Sequence, residues 1–374
     1  MKKLIIFILS FCMFISVPST IFAQEENKKE EIKVKSSILM CMDTGDIIKE
    51  ENAYEHLSPA SVTKIMSILL IMEAIDSGKI GLDDMVAASE NAVSKGGSQI
   101  WLEVGEMMSV NDLLKAVVIS SANDACTLLS EYVAGSDTAF VSMMNDKVKE
   151  LGLKDSNFEN CTGLDDNVTN HYSCAYDLAV IAREVMKYDI VKNYSTVWLD
   201  SLRGGETELN NTNKLVNKYN GITGLKTGTT SNAGFCLCAT AERDGMSLVS
   251  VVLGADTSDD RFDMSTQLLD FGFANYKLSK INLDIDQITS VKIKNGTVKS
   301  TVPIANNSDS ILVNKSSGEF EYEYKVKESV EAPVRKGDTL GEVLVMNGNE
   351  QVASIALVAE CDVKTVTFSY IFNE

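Results

Sequence analysis

The eight residues from Ile65 to Met72 contain a single polar side chain, Ser67. A helix that is apolar around its whole circumference has no face to turn to water, so this one must be buried in a packed core. Directly before it stands Ser58-Pro59-Ala60-Ser61-Val62-Thr63-Lys64. Ser58 is suited to cap the helix and Pro59 to its first position. That places Ser61 in the first turn and Lys64 three residues on, on the same face. A helix N-terminus favours negative charge developing on a serine oxygen. A free serine is a weak nucleophile and needs an adjacent base. A lysine serves only if burial or neighbouring positive charge lowers its pKa, and Lys64 at the core end of a buried helix is placed for that. The plain alternative is a capped helix with a solvated lysine.

The chain offers few other ways to activate a nucleophile. It has two histidines, His56 and His171. A His-rich metal site is excluded, a Ser-His-Asp triad is not expected, and both histidines are read as structural. The formal net charge of −19 becomes roughly −21 once a leader carrying Lys2 and Lys3 is removed. A chain this acidic has no global field to draw in nucleic acid or an anionic membrane face.

That leader is residues 1–23. Lys2-Lys3 forms a positive start, Leu4 to Val17 is apolar except for Ser10 and Ser16, and Ala23 precedes the polar Gln24-Glu25-Glu26-Asn27. The pattern is that of a cleaved secretory signal peptide, with an uncleaved membrane anchor as the alternative; the run is short for a full span. Eight cysteines minus Cys12 leaves an odd seven, at spacings that match neither zinc sites nor a disulfide framework, so they are read as buried free thiols. Cys236 and Cys238, two apart in a strand-like run, share one face.

The 374 residues are enough for two domains and divide by texture. Ser36 to Met42 and Asp46 to Lys49 flank a hairpin turn at Asp43-Thr44-Gly45. Residues 58–200 are mostly helical by apolar spacing. Strands return near residue 222, with a hairpin at Glu242-Arg243-Asp244-Gly245, and a helix follows over Asp259 to Tyr276. Beyond Lys277 the pattern becomes all-β. Asn295-Gly296 and Asn347-Gly348 mark hairpins, and Phe320, Tyr322, Tyr324 and Val326 alternate with charged residues. A catalytic part over 24–277 and a β-rich domain over 278–374 are expected.

Two further motifs join the first. Ser121-Ala122-Asn123 falls between two apolar helical runs and presents a hydroxyl and a carboxamide, suited to proton relay and to orienting a substrate amide; a plain helix N-cap is the alternative. Lys226-Thr227-Gly228-Thr229 leads into a strand hairpin. Gly228 lets a ligand approach the backbone, an edge strand there can pair with an extended peptide, and Lys226 adds charge. A surface turn is the alternative.

Ser-x-x-Lys, Ser-x-Asn and Lys-Thr-Gly, in this order and context, are the signature shared by β-lactamases and penicillin-binding proteins. The surrounding sequence resembles one branch, the D-alanyl-D-alanine carboxypeptidases among the low-molecular-mass penicillin-binding proteins. The likeness spans nearly the whole mature chain and includes Gly163-Leu164-Asp165, His171-Tyr172-Ser173 and Ala233-Gly234. It implies an α/β (α+β) fold: an antiparallel sheet built from both chain ends, helices covering it, an inserted helical lobe, and a small all-β C-terminal domain. The resemblance implies catalytic Ser61, Lys64, Ser121 and Asn123, with Ser61 the acylated nucleophile and Lys64 its general base. It implies substrate binding by Lys226, Thr227, Gly228, Thr229 and Arg261, with Lys226 also helping to keep Lys64 neutral. The N–H groups of Ser61 and Thr229 would form the oxyanion hole, and Thr227 and Arg261 would take the substrate's terminal carboxylate. Arg261 is one of five arginines, and a solvated helix charge is its other reading. Some relatives use a further arginine near the Asn211-Thr212-Asn213 stretch; Thr212 stands about there, so the resemblance rests carboxylate binding more heavily on Arg261.

The implied protein is a secreted serine-type D-Ala-D-Ala carboxypeptidase acting on peptidoglycan stem pentapeptides outside the cytoplasm. It would be acylated by β-lactams and need no metal or organic cofactor. A β-lactamase is the first alternative, but the stretch from Phe158 to Gly163 lacks the Glu-x-x-x-Asn spacing that would supply its deacylating base. A non-catalytic wall-binding protein of the same fold is the second. Many relatives end in an amphipathic membrane-lying helix. Here Asp362 to Glu374 is short and rich in β-formers, so a final strand is expected and membrane association stays open.

Overall fold

The computed structural model describes residues 32–166, 168–306 and 310–366. The signal-peptide expectation for 1–23 lies outside them.

A five-stranded antiparallel sheet organises the first part of the chain. Its strands are β1 (Ser36–Cys41), β2 (Ile47–Glu51), β3 (Ile222–Thr230), β4 (Gly234–Arg243) and β5 (Met246–Ala255), in the order β2-β1-β5-β4-β3. The sheet therefore joins both ends of this region, and β3 is an edge. Strand alternation sorts its side chains onto two faces. Ile38, Met40, Cys236, Cys238, Val249, Val251 and Leu253 face the larger core, whereas Leu39, Cys41, Leu237, Ala239, Leu248 and Val252 face a second.

Six longer helices pack around the sheet: α1 (Lys64–Asp76), α2 (Val110–Ser120), α3 (Asn123–Ala134), α4 (Asp137–Glu150), α5 (Ala175–Val185) and α6 (Ser258–Asn275). Helix α1 runs through the larger core, where Ile65, Met66, Ile68 and Ile71 are fully buried and Leu69 nearly so. Each such side chain contributes about 1.5–3 kcal/mol relative to exposure. Helix α6 covers the other face with Phe262, Leu268, Leu269 and Phe273.

The start of α1 differs from expectation. Ser58 does not cap it. Residues Ala60–Thr63 form a separate 3-10 turn with no side-chain cap, and α1 begins at Lys64. The reason is steric: Ala60 has φ +48°, and glycines at 163 and 228 press the turn from two sides. The region 58–200 is also less continuously helical than its apolar spacing suggests. Residues 151–173 form a long connection held by isolated bridges Leu57↔Ser173 and Asn157↔Tyr172, and Leu199–Leu202 pairs with Thr207–Asn210.

After α6 the chain runs directly into β6 (Tyr276–Lys280), which pairs with β7 (Ser310–Asn314). Then β8 (Glu321–Val326), β9 (Thr339–Asn347) and β10 (Glu350–Val358) form a meander. Its core contains Val343, Val345, Ile355 and Leu357, and Tyr322 and Tyr324 are half-buried against them. Val291–Lys294 pairs with Ser300–Thr301 across the Asn295-Gly296 turn. Of the strand expected over 362–374, the described residues reach only to 366 and show bridges at Val363 and Thr365; residues 367–374 lie outside them.

Six of the seven cysteines in the described residues are buried and none is bonded to another. Cys361 is exposed, against the expectation of uniform burial, because it sits in the irregular segment that follows β10.

Candidate active site

Ser61 is half-buried in the 3-10 turn at the head of the buried helix. Lys64, fully buried, donates from Nζ to Ser61 Oγ at 2.9 Å and to the carbonyl of Thr162 at 2.8 Å. Burial lowers its pKa to about 8. Cys126, Cys161 and the Asp124 carboxylate pull the other way, and burial outweighs them.

Thr162 is held from several sides. Asn160 Oδ1 accepts the N–H groups of Thr162 and Gly163, and Asn160 Nδ2 donates to the Leu164 carbonyl. Ser67, one turn along α1 from Lys64, donates to the Cys161 carbonyl at 2.6 Å. At Gly163 (φ +80°) a Cβ would lie 1.8 Å from the Ala60 carbonyl oxygen. His171 ties the same loop to the serine turn. The Glu159 N–H donates to Nδ1 at 3.0 Å, so the proton is on Nε2, which donates to Thr63 Oγ1 at 2.8 Å. Burial pushes its pKa down to about 4, keeping the imidazole neutral. His56 instead pairs with Asp155 and stacks on Tyr172.

Ser121 ends α2 in the left-handed region (φ +63°), and Asn123 opens α3 two residues later. Both are buried. Ser121 Oγ and Asn123 Oδ1 have no hydrogen-bond partner among the described residues. Buried polar atoms without a protein partner beside a left-handed backbone are places where a ligand or water can complete the bonding. Asn123 Nδ2 donates to the Gly96 carbonyl at 2.7 Å. The adjacent Asp124 accepts from the N–H groups of Ile100 and Leu102, which fixes the loop beside Asn123. Cys126, one turn further on the same side of α3, donates from Sγ to the carbonyl of Cys161, the residue before the Thr162 that accepts from Lys64.

Edge strand β3 supplies the remaining wall. A Cβ at Gly228 would lie 2.9 Å from the Ser61 nitrogen and 2.7 Å from the Pro59 carbonyl oxygen. Only glycine lets the strand close on the serine turn. Lys226 is buried and donates to the Thr227 carbonyl at 3.0 Å. Its pKa is lowered well below the ordinary value by burial first, then by Lys64 and Arg261. The influence runs from Lys64 to Lys226: the shift of Lys64 itself comes from burial, and Lys226 is not among its causes. Thr227 is buried, and Thr229 is exposed on the edge.

Arg261 is not a solvated helix charge. The first turn of α6 is fixed by a reciprocal cap between Thr257 and Asp260, and Arg261 folds under β3. Its Nη1 donates to Gly228 O, Thr229 Oγ1 and Cys236 O at 3.0–3.1 Å. It reaches the strand from behind rather than projecting freely toward Ser61. Among the described residues, neither lysine of the site nor Arg261 has a carboxylate within 4.0 Å.

The structure thus brings Ser61, Lys64 and Gly228 into direct apposition, with Lys226, Thr227 and Thr229 beside Gly228 on the edge strand and Ser121 and Asn123 at the junction of α2 and α3. The sequence did not single out Thr162 or Asn160. Thr162 acts through its carbonyl, which carries no residue signature.

A sheet with helices on both faces, a serine–lysine pair against its edge strand and an all-β domain behind is the architecture of a penicillin-binding protein. The family model "D-alanyl-D-alanine carboxypeptidase" matches residues 23–257, and "Penicillin-binding protein 5, C-terminal domain" matches 276–365. The chain is 39% identical to the D-alanyl-D-alanine carboxypeptidase DacF of Bacillus subtilis, over 98% of this chain and 96% of that one. Penicillin-binding protein 5 from Haemophilus influenzae superposes with a TM-score of 0.79 at 31% identity, covering 89% of this chain and 98% of that one. Penicillin-binding protein D2 from Listeria monocytogenes in its cefotaxime-bound form superposes with a TM-score of 0.59 at 29% identity, over 64% of this chain and 97% of that one. The chain belongs to the D-alanyl-D-alanine carboxypeptidase family, and is a serine-type D-Ala-D-Ala carboxypeptidase.

Proposed function

We propose that this enzyme is exported and removes the terminal D-alanine from peptidoglycan stem pentapeptides through an acyl-enzyme on Ser61. The observation that carries the reading is the 2.9 Å contact between Ser61 Oγ and a lysine whose pKa burial lowers to about 8. Neutral Lys64 takes the serine proton as Oγ attacks the scissile carbonyl. The N–H groups of Ser61 and Thr229 hold the oxyanion. The proton passes by way of Ser121 to the departing D-alanine nitrogen, and Asn123 holds the substrate amide. Lys226, Thr227 and Arg261 favour an anionic C-terminus, which reaches a site whose cations lack carboxylate partners. Water then cleaves the ester.

Residues 24–277 carry this chemistry, and 278–374 form the β-rich domain. β-Lactams acylate the same serine as mimics of the substrate. Export from the cytoplasm rests on the leader at 1–23. No helix among the described residues is long and apolar enough to cross a membrane.

The β-lactamase alternative is disfavoured by Glu159. Its carboxylate accepts the N–H groups of Thr169 and Asn170, so it is committed to shaping a turn. A burst of nitrocefin hydrolysis without sustained turnover is expected. The direct test is D-alanine release from diacetyl-Lys-D-Ala-D-Ala. Binding of that peptide without release overturns the proposal in favour of a wall-binding protein.

A further inference from the structure

Thr212 lies outside the three motifs, yet the fold holds it with unusual care. Its neighbours Asn211 and Asn213 are buried. Asn211 Nδ2 donates to the carbonyls of Ser195 and Val197 at 3.0 and 2.8 Å, and its Oδ1 accepts the Asn213 N–H at 2.9 Å. Asn213 Nδ2 donates to the Gly224 carbonyl at 2.9 Å, and its Oδ1 accepts the Leu215 N–H. Between these anchors, the Thr212 N–H donates to the carbonyl of Ile119, two residues before Ser121. On its other side, Thr212 Oγ1 accepts a hydrogen bond from Thr227 Oγ1 at 2.6 Å. Thr212 therefore bridges the end of α2 to the edge strand.

That short bond creates a conflict. A hydroxyl has one proton to donate and two lone pairs. Thr227 is assigned a substrate carboxylate, but in this structure its proton goes to Thr212. When an anion arrives, the Thr227 proton must turn toward it. Thr212 must then become the donor, or two oxygens are left facing each other lone pair to lone pair. Arg261 does not relieve this: its Nη1 is committed to Gly228 O, Cys236 O and Thr229 Oγ1, and although its Nε has no partner among the described residues, the side chain makes no hydrogen bond to Thr212 or Thr227.

We propose that Thr212 is a positioning residue for recognition of the substrate's terminal carboxylate, acting by reversal of the Thr212–Thr227 hydrogen bond. In the occupied site the chain runs from Thr212 O–H to Thr227 Oγ1, and from Thr227 O–H to the carboxylate. Each bond polarises the next, and the terminal bond to an anion is the strong one. No covalent bond changes and no net charge is added. The inference rests on the proposed placement of the peptide terminus at Thr227.

The test compares kcat/KM for diacetyl-Lys-D-Ala-D-Ala and for its C-terminal carboxamide. Thr212→Val keeps the shape and removes the hydroxyl; it should lower the value for the free acid about tenfold and that for the carboxamide less than about twofold. Thr212→Ser should restore the free-acid value. Thr227→Val and the double variant should be equally impaired, since the Thr212 hydroxyl acts only through Thr227. If Thr212→Val lowers the melting midpoint, Thr212→Ala takes its place in the same comparison. Equal losses on both substrates, or no loss on either, overturn the relay and leave the assigned activity standing. Wild-type protein that releases no D-alanine overturns both.

Discussion

Lys64 and Ser61 are already in hydrogen-bond contact, Nζ to Oγ at 2.9 Å, with no substrate needed to bring them together. The lysine reaches the serine from the first residue of a helix whose other side chains are almost all buried, so its position is fixed by the core. Burial there also lowers its pKa to about 8, within reach of neutral pH.

The rate of acylation should follow that value. Below about 8 Lys64 is an ammonium and accepts no proton, so the rate rises with pH and levels off above it. Stopped-flow acylation by a β-lactam across pH 6 to 10 measures this. Lys64→Arg, whose guanidinium stays charged, should lose a factor of roughly 10²–10⁴. A flat pH profile would count against Lys64 as the base.

Gly163 should be intolerant of any side chain. The Cβ of alanine would meet the Ala60 carbonyl oxygen at 1.8 Å, and the backbone is left-handed. Gly163→Ala should destabilise by about 2 kcal/mol or more and slow acylation more than about tenfold. Gly337 is also left-handed but has open space around the missing Cβ. Gly337→Ala should cost about 1 kcal/mol and leave acylation unchanged. Thermal melts with the acylation assay separate strain from steric closure.

His171 should make stability acid-sensitive. Its pKa drops from 6.5 to about 4 on folding, so between those values the unfolded chain binds more protons. The contribution is complete above about 6.5 and is lost as pH falls toward 4, by at most about 3 kcal/mol. Melting midpoints of wild type and His171→Gln should differ most above pH 6.5 and converge on acidification. A constant difference would show that His171 does not titrate in this window.

Asp124 clamps the loop that borders Asn123. Asp124→Asn weakens charge-assisted bonds from Ile100 and Leu102 in a buried setting, so a loss of about 1.5–3 kcal/mol is expected. KM should rise as the Asn123 wall loosens. Denaturant titration and steady-state kinetics with the D-Ala-D-Ala peptide check the two effects, and an unchanged KM would uncouple loop from substrate.

Much of this site was legible because its signals are local. The apolar run after Lys64 required a buried helix, and the i, i+3 spacing put Ser61 and Lys64 together. The hairpin turns at Asn347-Gly348 and Asp43-Thr44-Gly45 announced paired antiparallel strands by residue type alone. The connection at 151–173 was silent because side-chain-to-backbone bonds hold it, as at Asn160, with no period to read. Ser58 misled because capping preference is a local rule. Here two distant glycines let β3 and the 163 loop force the serine turn into 3-10 geometry. Arg261 was noticed for its scarcity, but its route beneath β3 follows from the packing of α6, which no short window contains.

The most direct test of the serine–lysine site is the intact mass of the protein after exposure to benzylpenicillin, followed by peptide mapping. A single penicilloyl adduct on the peptide containing Ser61, absent in Ser61→Ala, is the predicted result. No adduct, or an adduct on another residue that persists in Ser61→Ala, would contradict it.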